Sequence, residues 1–225
     1  MIRSMTYNIR LGIQQGLDAL ASVIRSHDPD IIALQEVGQN WKMGPAGDTT
    51  AALAEILGFE HHRFVPCIDE SPHFYGHALL SKHPILESKD VLLPKEVDEP
   101  RVLTQSRLDT PDGEIVLLST HLSWIEDRDA QGEVLADLAH ALHEHGERVV
   151  IMSDLNEEHR PAWFVRLLEV YQDADSQQER LTFPSDKPRI RIDYLLANQG
   201  SWEDVLVTEE REASDHLPLS GLLVL

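Results

Sequence analysis

The chain predicts a layered α/β sandwich built on a mixed sheet. Two observations carry this reading. Short β-branched runs alternate with stretches whose apolar residues recur at helical spacing. Turn signals such as Pro111-Asp112-Gly113 also join strands directly, which places antiparallel pairs beside any parallel ones.

Taken in order, residues 3–9 form a short mixed run that reads as the first strand. Leu17, Leu20, Ala21 and Ile24 predict a helix over 17–27. Asp28-Pro29 ends it, because a residue before proline is pushed out of the helical region. Residues 30–34 are a compact buried strand, and residues 38–47, with three glycines and a proline, a loop. Ala51, Leu53, Ala54 and Leu57 predict a second helix stopped by Gly58. A short strand at 77–81 is followed by the turn Lys82-His83-Pro84. Strands at 102–109 and 114–121 flank the Pro111-Asp112-Gly113 hairpin. Leu135, Leu138, Ala139 and Leu142 mark a helix over about 130–145, closed by Gly146. A buried strand follows at 149–152. Trp163, Phe164, Leu167 and Leu168 suggest a helix after Pro161, and strands at 192–196 and 217–224 close the chain. The sequence shows no repeat, linker or low-complexity stretch, so residues 1–225 read as one domain.

Composition bounds the function. The chain has 225 residues, 42% hydrophobic and 26% charged, which is ordinary globular usage. Its folded surface should be roughly 10,000 Å². Nineteen Lys+Arg stand against 39 Asp+Glu, a formal net charge of −20. Such a surface repels polyanions at long range, so nucleic acid is a disfavoured partner, although a local cationic or metal-bearing cleft is allowed. Cys67 is the single cysteine, so no internal disulfide can form. The first residues lack the apolar region of a signal peptide, and no apolar stretch approaches the ~20 residues of a membrane span. A cytoplasmic location is expected.

Acids, amides and histidines fall at strand ends. Asn8 follows the first strand, Glu36 the second and His121 the hairpin. Asp154 and Asn156 follow the run 149–153, Asp193 sits in an apolar stretch, and Asp215-His216 precedes the last strand. Strand ends are where α/β proteins gather ligand sites. Glu36 and Asp215 offer hard carboxylate oxygens and Asn8 a carbonyl oxygen, a set suited to Mg²⁺ or Mn²⁺. Neither CxxC nor HExxH is present to make a zinc site. His121 and His216 could donate to a phosphoryl oxygen, and Asp154 with Asn156 could hold and deprotonate water.

Each signal also has an ordinary structural explanation. Asn8 could be a turn residue, Glu36 a solvated strand end, and Asp154-Leu155-Asn156 a helix cap before Glu157-Glu158. Asp193 resists such treatment, because a buried lone carboxylate needs a partner; His216 is the candidate. His61-His62 and the His140, His143, His145 tract read as a loop and a solvated helix face. Glu157-Glu158 reads as exposed, Arg189 and Arg191 as salt-bridging surface charges, and the four tryptophans as too scattered for a stacking platform.

Six motifs carry a family resemblance. Met5-Thr6-Tyr7-Asn8-Ile9, Leu34-Gln35-Glu36-Val37, Ser119-Thr120-His121-Leu122, Ser153-Asp154-Leu155-Asn156, Arg191-Ile192-Asp193-Tyr194 and Ser214-Asp215-His216 stand in the order of the endonuclease/exonuclease/phosphatase superfamily, the DNase I-like fold. The resemblance implies a four-layer α/β/β/α sandwich with two mixed sheets and a divalent-metal phosphoesterase, using Mg²⁺ or Mn²⁺. It implies metal binding by Glu36 with Asn8 and Asp215. Asp154 resembles the residue that activates water, with Asn156 on the phosphate beside it. His216 resembles the phosphate-clamping histidine, Asp193 its orienting carboxylate, and His121 the second histidine. Arg101 stands where a phosphate-contacting arginine is placed, with Arg107 the alternative. Tyr75 and Thr182 resemble substrate-binding positions. Ser153, Leu155 and His77 depart from the usual Gly, Phe and Asn. The expected substrate is a phosphate mono- or diester, small or lipid-derived. The alternatives are a nuclease or DNA-end-processing enzyme, and a non-catalytic binder of a phospho-ligand.

Overall fold

The computed structural model describes residues 1–177 and 179–225. Along the chain run β1 (Ile2–Asn8), α1 (Gly16–His27), β2 (Ile31–Gln39), α2 (Thr49–Leu57), β3 (His61–Glu70) and β4 (His73–Ser81). Then come β5 (Ile85–Leu92), β6 (Val102–Thr110), β7 (Gly113–His121), α3 (Arg128–Glu144), β8 (Val149–Asp154) and α4 (Ala162–Leu168). The chain closes with β9 (Gln172–Asp173), β10 (Asp193–Ala197), β11 (Ser201–Val207) and β12 (Leu219–Val224).

Two six-stranded sheets form, ordered β11-β12-β1-β2-β4-β3 and β5-β6-β7-β8-β10-β9. Each is mixed, with one parallel pair at its centre: β1 with β2, and β7 with β8. The orders match place for place, although the sequence shows no repeat. The sheets pack face to face, with α1 and α2 on one outside and α3 and α4 on the other. This is the expected four-layer α/β/β/α sandwich.

Alternation along the central strands explains the layering. Ile31 and Ala33 of β2, and Val150 and Met152 of β8, point into the core between the sheets. Their neighbours Ile32 and Leu34 pack under α1 and α2, whereas Val149 and Ile151 pack under α3 and α4. Both faces being covered, these strands read as unbroken apolar runs. Asp48 caps α2 by accepting a hydrogen bond from the Ala51 N–H at 3.0 Å, and Gly58 closes it with a left-handed φ of 77°. Gly132 lets α3 and α4 meet: a Cβ there would lie 2.3 Å from the Trp163 ring. The folded chain exposes 9486 Å², close to the expected area. No helix among the described residues is long and apolar enough to cross a membrane.

Several sequence readings are corrected here. β3, β5, β9 and β11 are strands that the sequence did not announce, and His61-His62 opens β3 rather than lying in a loop. β2 runs to Gln39, into the expected loop. Asp154-Leu155-Asn156 caps no helix, since α4 begins only at Ala162. Glu157 is buried against Arg128, and Arg191 is buried between Asp173 and Asp175 rather than on the surface.

Candidate active site

Strand register brings the predicted residues together. Parallel pairing sets Asn8 beside Gln35 at one sheet's strand ends, and His121 beside Asp154 at the other's. Antiparallel β10 then places Asp193 opposite Asp154. Glu36 arrives by a different device. The register of β2 against β4 slips between Leu34 and Val37, so Gln35 and Glu36 together face one residue of β4. Glu36 takes a left-handed φ of 52°, and this bulge turns its side chain out of the strand's alternation.

The result is a cleft of about 220 Å³. Asn8, Glu36, Arg101, His121, Asp154, Asn156, Asp215 and His216 line it, joined by Trp124 and Phe183. Asp154, fully buried, is the hub. Its Oδ2 accepts from Asn8 Nδ2 at 3.0 Å, and its Oδ1 accepts from the Asn156 N–H at 3.0 Å. His121 Nε2 and His216 Nε2 lie 3.5 and 3.7 Å from Oδ2. Asn156, at φ 51°, donates from its amide to Leu122 O at 2.8 Å, and that nitrogen stands 3.1 Å from His121 Nε2.

The two histidines differ in charge. Burial pulls His216 down, but Asp193 and Asp154 outweigh it and raise its pKa to about 10, so it is an imidazolium. Asp193 Oδ2 accepts from its Nδ1 at 3.0 Å. Burial, reinforced by Arg101, holds His121 well below its ordinary value. Arg101 Nη1 donates to His121 Nδ1 at 2.9 Å, which leaves the imidazole neutral with its proton on Nε2, facing the cleft. His121 is therefore a hydrogen-bond donor and not a second cation. Burial, together with the charge of Asp193, raises Asp154 above the usual carboxylate range. Burial also raises Glu36, against the pull of Asn8.

Three predicted residues lie outside the cleft. Asp193 stands behind His216, as an orienting carboxylate would. Tyr75 is buried beside Arg101, with which its hydroxyl hydrogen-bonds, and leans on Trp41 at 5.6 Å. It packs beside the guanidinium, outside the residues that line the cleft. Thr182 is fully buried; its carbonyl accepts from the Leu217 N–H at 2.8 Å and its hydroxyl from the Ile192 N–H at 3.4 Å. It ties the Phe183 loop to the segments that carry Asp193 and His216. Of the two candidate arginines, Arg101 faces the cleft. Arg107 is held by Glu87, Glu114 and Glu147 away from it.

Asn8 also departs from expectation. Its Oδ1 accepts from the Arg10 N–H at 3.1 Å, and its amide hydrogens go to Glu36 Oε1 (3.1 Å) and Asp154. The amide nitrogen, not the oxygen, faces the acids. Glu36 and Asp215 remain the hard oxygen donors on the open side of the cleft. The Asp215 carboxylate meets Arg10 Nε at 3.3 Å and the Ser214 hydroxyl at 3.4 Å. Glu36, Asp154, Asp193 and Asp215 outnumber the cations Arg10, Arg101 and His216, so a divalent cation fits the donor set and the charge. Asp154, Asp193 and His216 also place ligand atoms within 4.8 Å of one another. There the protonated His216 is itself the cation, which favours the Glu36–Asp215 side.

Sequence reasoning missed Trp124 and Phe183. They meet edge to face with centroids 5.8 Å apart, and Phe183 lies 4.8 Å from the His216 ring. Four tryptophans scattered along the sequence gave no hint that one would stand three residues past His121 at the cleft's lip. A larger groove of about 590 Å³ lies beside β11. Its arginines are tied, Arg180 to Asp175 and Arg211 to backbone carbonyls, and it holds no acid–base set among the described residues.

A model of the Endonuclease/Exonuclease/phosphatase family matches residues 5–216. The structure is similar to that of an endonuclease/exonuclease/phosphatase from Beutenbergia cavernae, 25% identical over 98% of this chain and 70% of that one, with a TM-score of 0.76. A mannosyl-6-phosphatase from Bacteroides thetaiotaomicron superposes with a TM-score of 0.78 at 16% identity, covering 100% of both chains. Truncated Caenorhabditis elegans TDP2 reaches 0.73 at 18% identity, over 98% of this chain and 96% of that one. No curated protein matches the chain.

Proposed function

Because the chain belongs to the endonuclease/exonuclease/phosphatase family, whose members are phosphoesterases or nucleases, we propose that it hydrolyses a small phosphate ester by in-line attack of water. The observation that supports this most is Asp154, buried and contacted at once by Asn8, Asn156, His121 and His216. Asp154 orients the water and takes its proton. Its raised pKa makes it a stronger base than an exposed carboxylate. Asn156 fixes one edge of Asp154 and presents its amide to the cleft. The His216 imidazolium and Arg101 supply positive charge for the phosphoryl oxygens, and His121 donates from Nε2. Asp193 holds His216 in its charged form. Mg²⁺ or Mn²⁺ held by Glu36 and Asp215 would add charge neutralisation at the phosphoryl group, a contribution of several kcal/mol in such sites.

The net charge of −20 favours a small substrate over a polynucleotide. The full-length match to a mannosyl-6-phosphatase of the same extent supports the same choice. The test is a hydrolysis panel with Mg²⁺ and Mn²⁺: plasmid DNA, abasic oligonucleotide, 5′-tyrosyl DNA, inositol and sugar phosphates, sphingomyelin, and aryl mono- and diesters. Metal-dependent turnover of a small ester, lost with EDTA and in Asp154→Asn, is the expected result. DNA turnover with a steep salt dependence would instead make it a nuclease.

A further inference from the structure

A second cavity opens beside the first. It too measures about 220 Å³, and the two share Trp124 and Asn156. Its other walls are Ile125, Ile190 and Ile192, with Arg128, Glu158 and His159 at the rim. Trp124 is 48% exposed and Ile125 62% exposed, a large apolar surface for water to cover in a protein this acidic. The Phe183 ring holds the indole edge to face, so Trp124 presents a fixed wall.

The charges at this cavity are already matched. Arg128 Nε stands 3.0 Å from Glu157 Oε2, and its Nη1 donates to the carbonyls of Trp124 (2.9 Å) and Asn156. His159 Nε2 lies 3.2 Å from Glu158 Oε1. A second phosphate would find no uncommitted cation among the lining residues. The size is also below the roughly 300–1,000 Å³ of a pocket for a drug-sized ligand. What fits is one uncharged ring with an apolar face.

Resting on the phosphoesterase reading above, we propose that this cavity is the specificity subsite, and that it takes a single uncharged ring, aryl or sugar, carried by the phosphate ester and stacked on Trp124. The phosphoryl group then occupies the Asp154 cleft while the ring lies against Trp124 and Ile125. Such a site selects by the group attached to phosphate and does not follow a polyanionic chain.

The test compares benzylphosphonate with ethylphosphonate, both non-hydrolysable, by calorimetry in Mg²⁺. The ring should tighten binding about tenfold, in line with the energy of an aromatic contact. Trp124→Ala should bring the benzyl-to-ethyl ratio close to one, and Trp124→Phe should keep most of it. Ile125→Asp, at an exposed position where folding is not at stake, should also lower the ratio. A ratio near one in the wild type, or one that neither Trp124→Ala nor Ile125→Asp moves, overturns the subsite. So does an oligonucleotide whose binding depends on Trp124 more than benzylphosphonate does, with a steep salt slope. Turnover of benzyl phosphate against a hexose 6-phosphate then tells which ring is preferred, and Trp124 dependence of either supports the assignment. Ring discrimination without turnover of any ester would remove the phosphoesterase reading and leave the subsite standing.

Discussion

The stretch from β1 to β4 and the stretch from β7 to β10 share one plan: strand, helix, strand, helix, strand, strand, with the last two exchanged in the sheet. Their site residues occupy corresponding regions. Asn8 ends β1 and His121 ends β7; Glu36 sits at the bulge of β2, one residue past the Gln35 that pairs with Asn8, and Asp154 ends β8, paired with His121. The strand beside each parallel pair is β12 in one sheet and β6 in the other. His216 precedes the first and Arg101 the second. What differs is the setting. A bulge turns Glu36 toward the open side of the cleft, where its carboxylate meets a single amide. Asp154 continues the regular register of β8 and is enclosed by two amides and two imidazoles. Corresponding strands thus give an oxygen donor on the open side of the cleft in one half and a fully enclosed carboxylate in the other, and burial raises the pKa of both. On the function proposed above, one plan used twice would be divided into a cation-holding half and a water-handling half.

The sharpest way to break that division is to neutralise the two acids separately. Glu36→Gln should weaken Mg²⁺ binding by at least about tenfold in calorimetry and reduce turnover with it. Asp154→Asn should leave Mg²⁺ affinity near wild type and lower kcat by on the order of 10²–10⁴. If Asp154→Asn abolishes metal binding as Glu36→Gln does, the two halves do not have separate tasks.

A smaller effect is expected where the sheets meet away from the cleft. His77 of β4 donates from Nε2 to Thr104 Oγ1 of β6 at 3.0 Å, and Thr104 donates on to Asp90 of β5 at 2.9 Å. Cys67 Sγ stands 3.8 Å from the other ring nitrogen. Burial lowers the His77 pKa to about 4, so the folded protein keeps it neutral. The unfolded chain takes up the proton first, near pH 6.5. Stability from this group is therefore complete above pH 6.5 and declines as the pH falls toward 4. The decline should reach roughly 2 kcal/mol by pH 4.5. Denaturant titrations of wild type and His77→Gln at pH 7 and pH 4.5 give the difference. Equal pH dependence in the two would mean that His77 is not a neutral link between the sheets.

The two sheets also show how far a sequence can be read. Its eight legible strands are β1, β2, β4, β6, β7, β8, β10 and β12, the interior strands of both sheets; the four it hid, β3, β5, β9 and β11, are the four edges. Interior strands such as β2 and β8 are covered on both faces and announce themselves as apolar runs, and β6 and β7 by the turn that joins them. An edge strand such as β5, with Leu86, Glu87 and Lys89 exposed, carries no such period. The site was legible for a related reason. Its acids, amides and histidines interrupt or end apolar runs, where a polar side chain needs an explanation. Trp124, Phe183 and Glu157 lie in loops with no period to break, Arg128 opens α3 outside its apolar face, and the way Asn8 points follows from three-dimensional neighbours. Resemblance placed Tyr75 and Thr182 near the site, but only packing shows that they stand behind it.

The loops at the two acids are held differently, and this gives the mildest of the expected effects. Glu36 is positioned by its own strand, through the bulge. Asn156 sits in a left-handed backbone conformation on a loop that depends on an arginine from the preceding helix: Arg128, in the first turn of α3, donates to the carbonyls of Asn156 and Trp124 and pairs with the buried Glu157. The Tyr194 hydroxyl donates to the Glu157 carbonyl at 2.8 Å, so the clamp is anchored to β10 as well. Arg128→Ala should reduce kcat about tenfold by loosening Asn156, with a smaller change in KM. Lysine keeps the charge but lacks the planar fork that reaches the two carbonyls from Nη1 while Nε stands beside Glu157, so Arg128→Lys should recover only part of the loss. Added guanidinium should restore kcat in Arg128→Ala more than in wild type. A drop in melting temperature with kcat intact would show that Asn156 is held by its own bonds to Asp154 and Leu122, and that the water-handling half positions itself as the cation-holding half does.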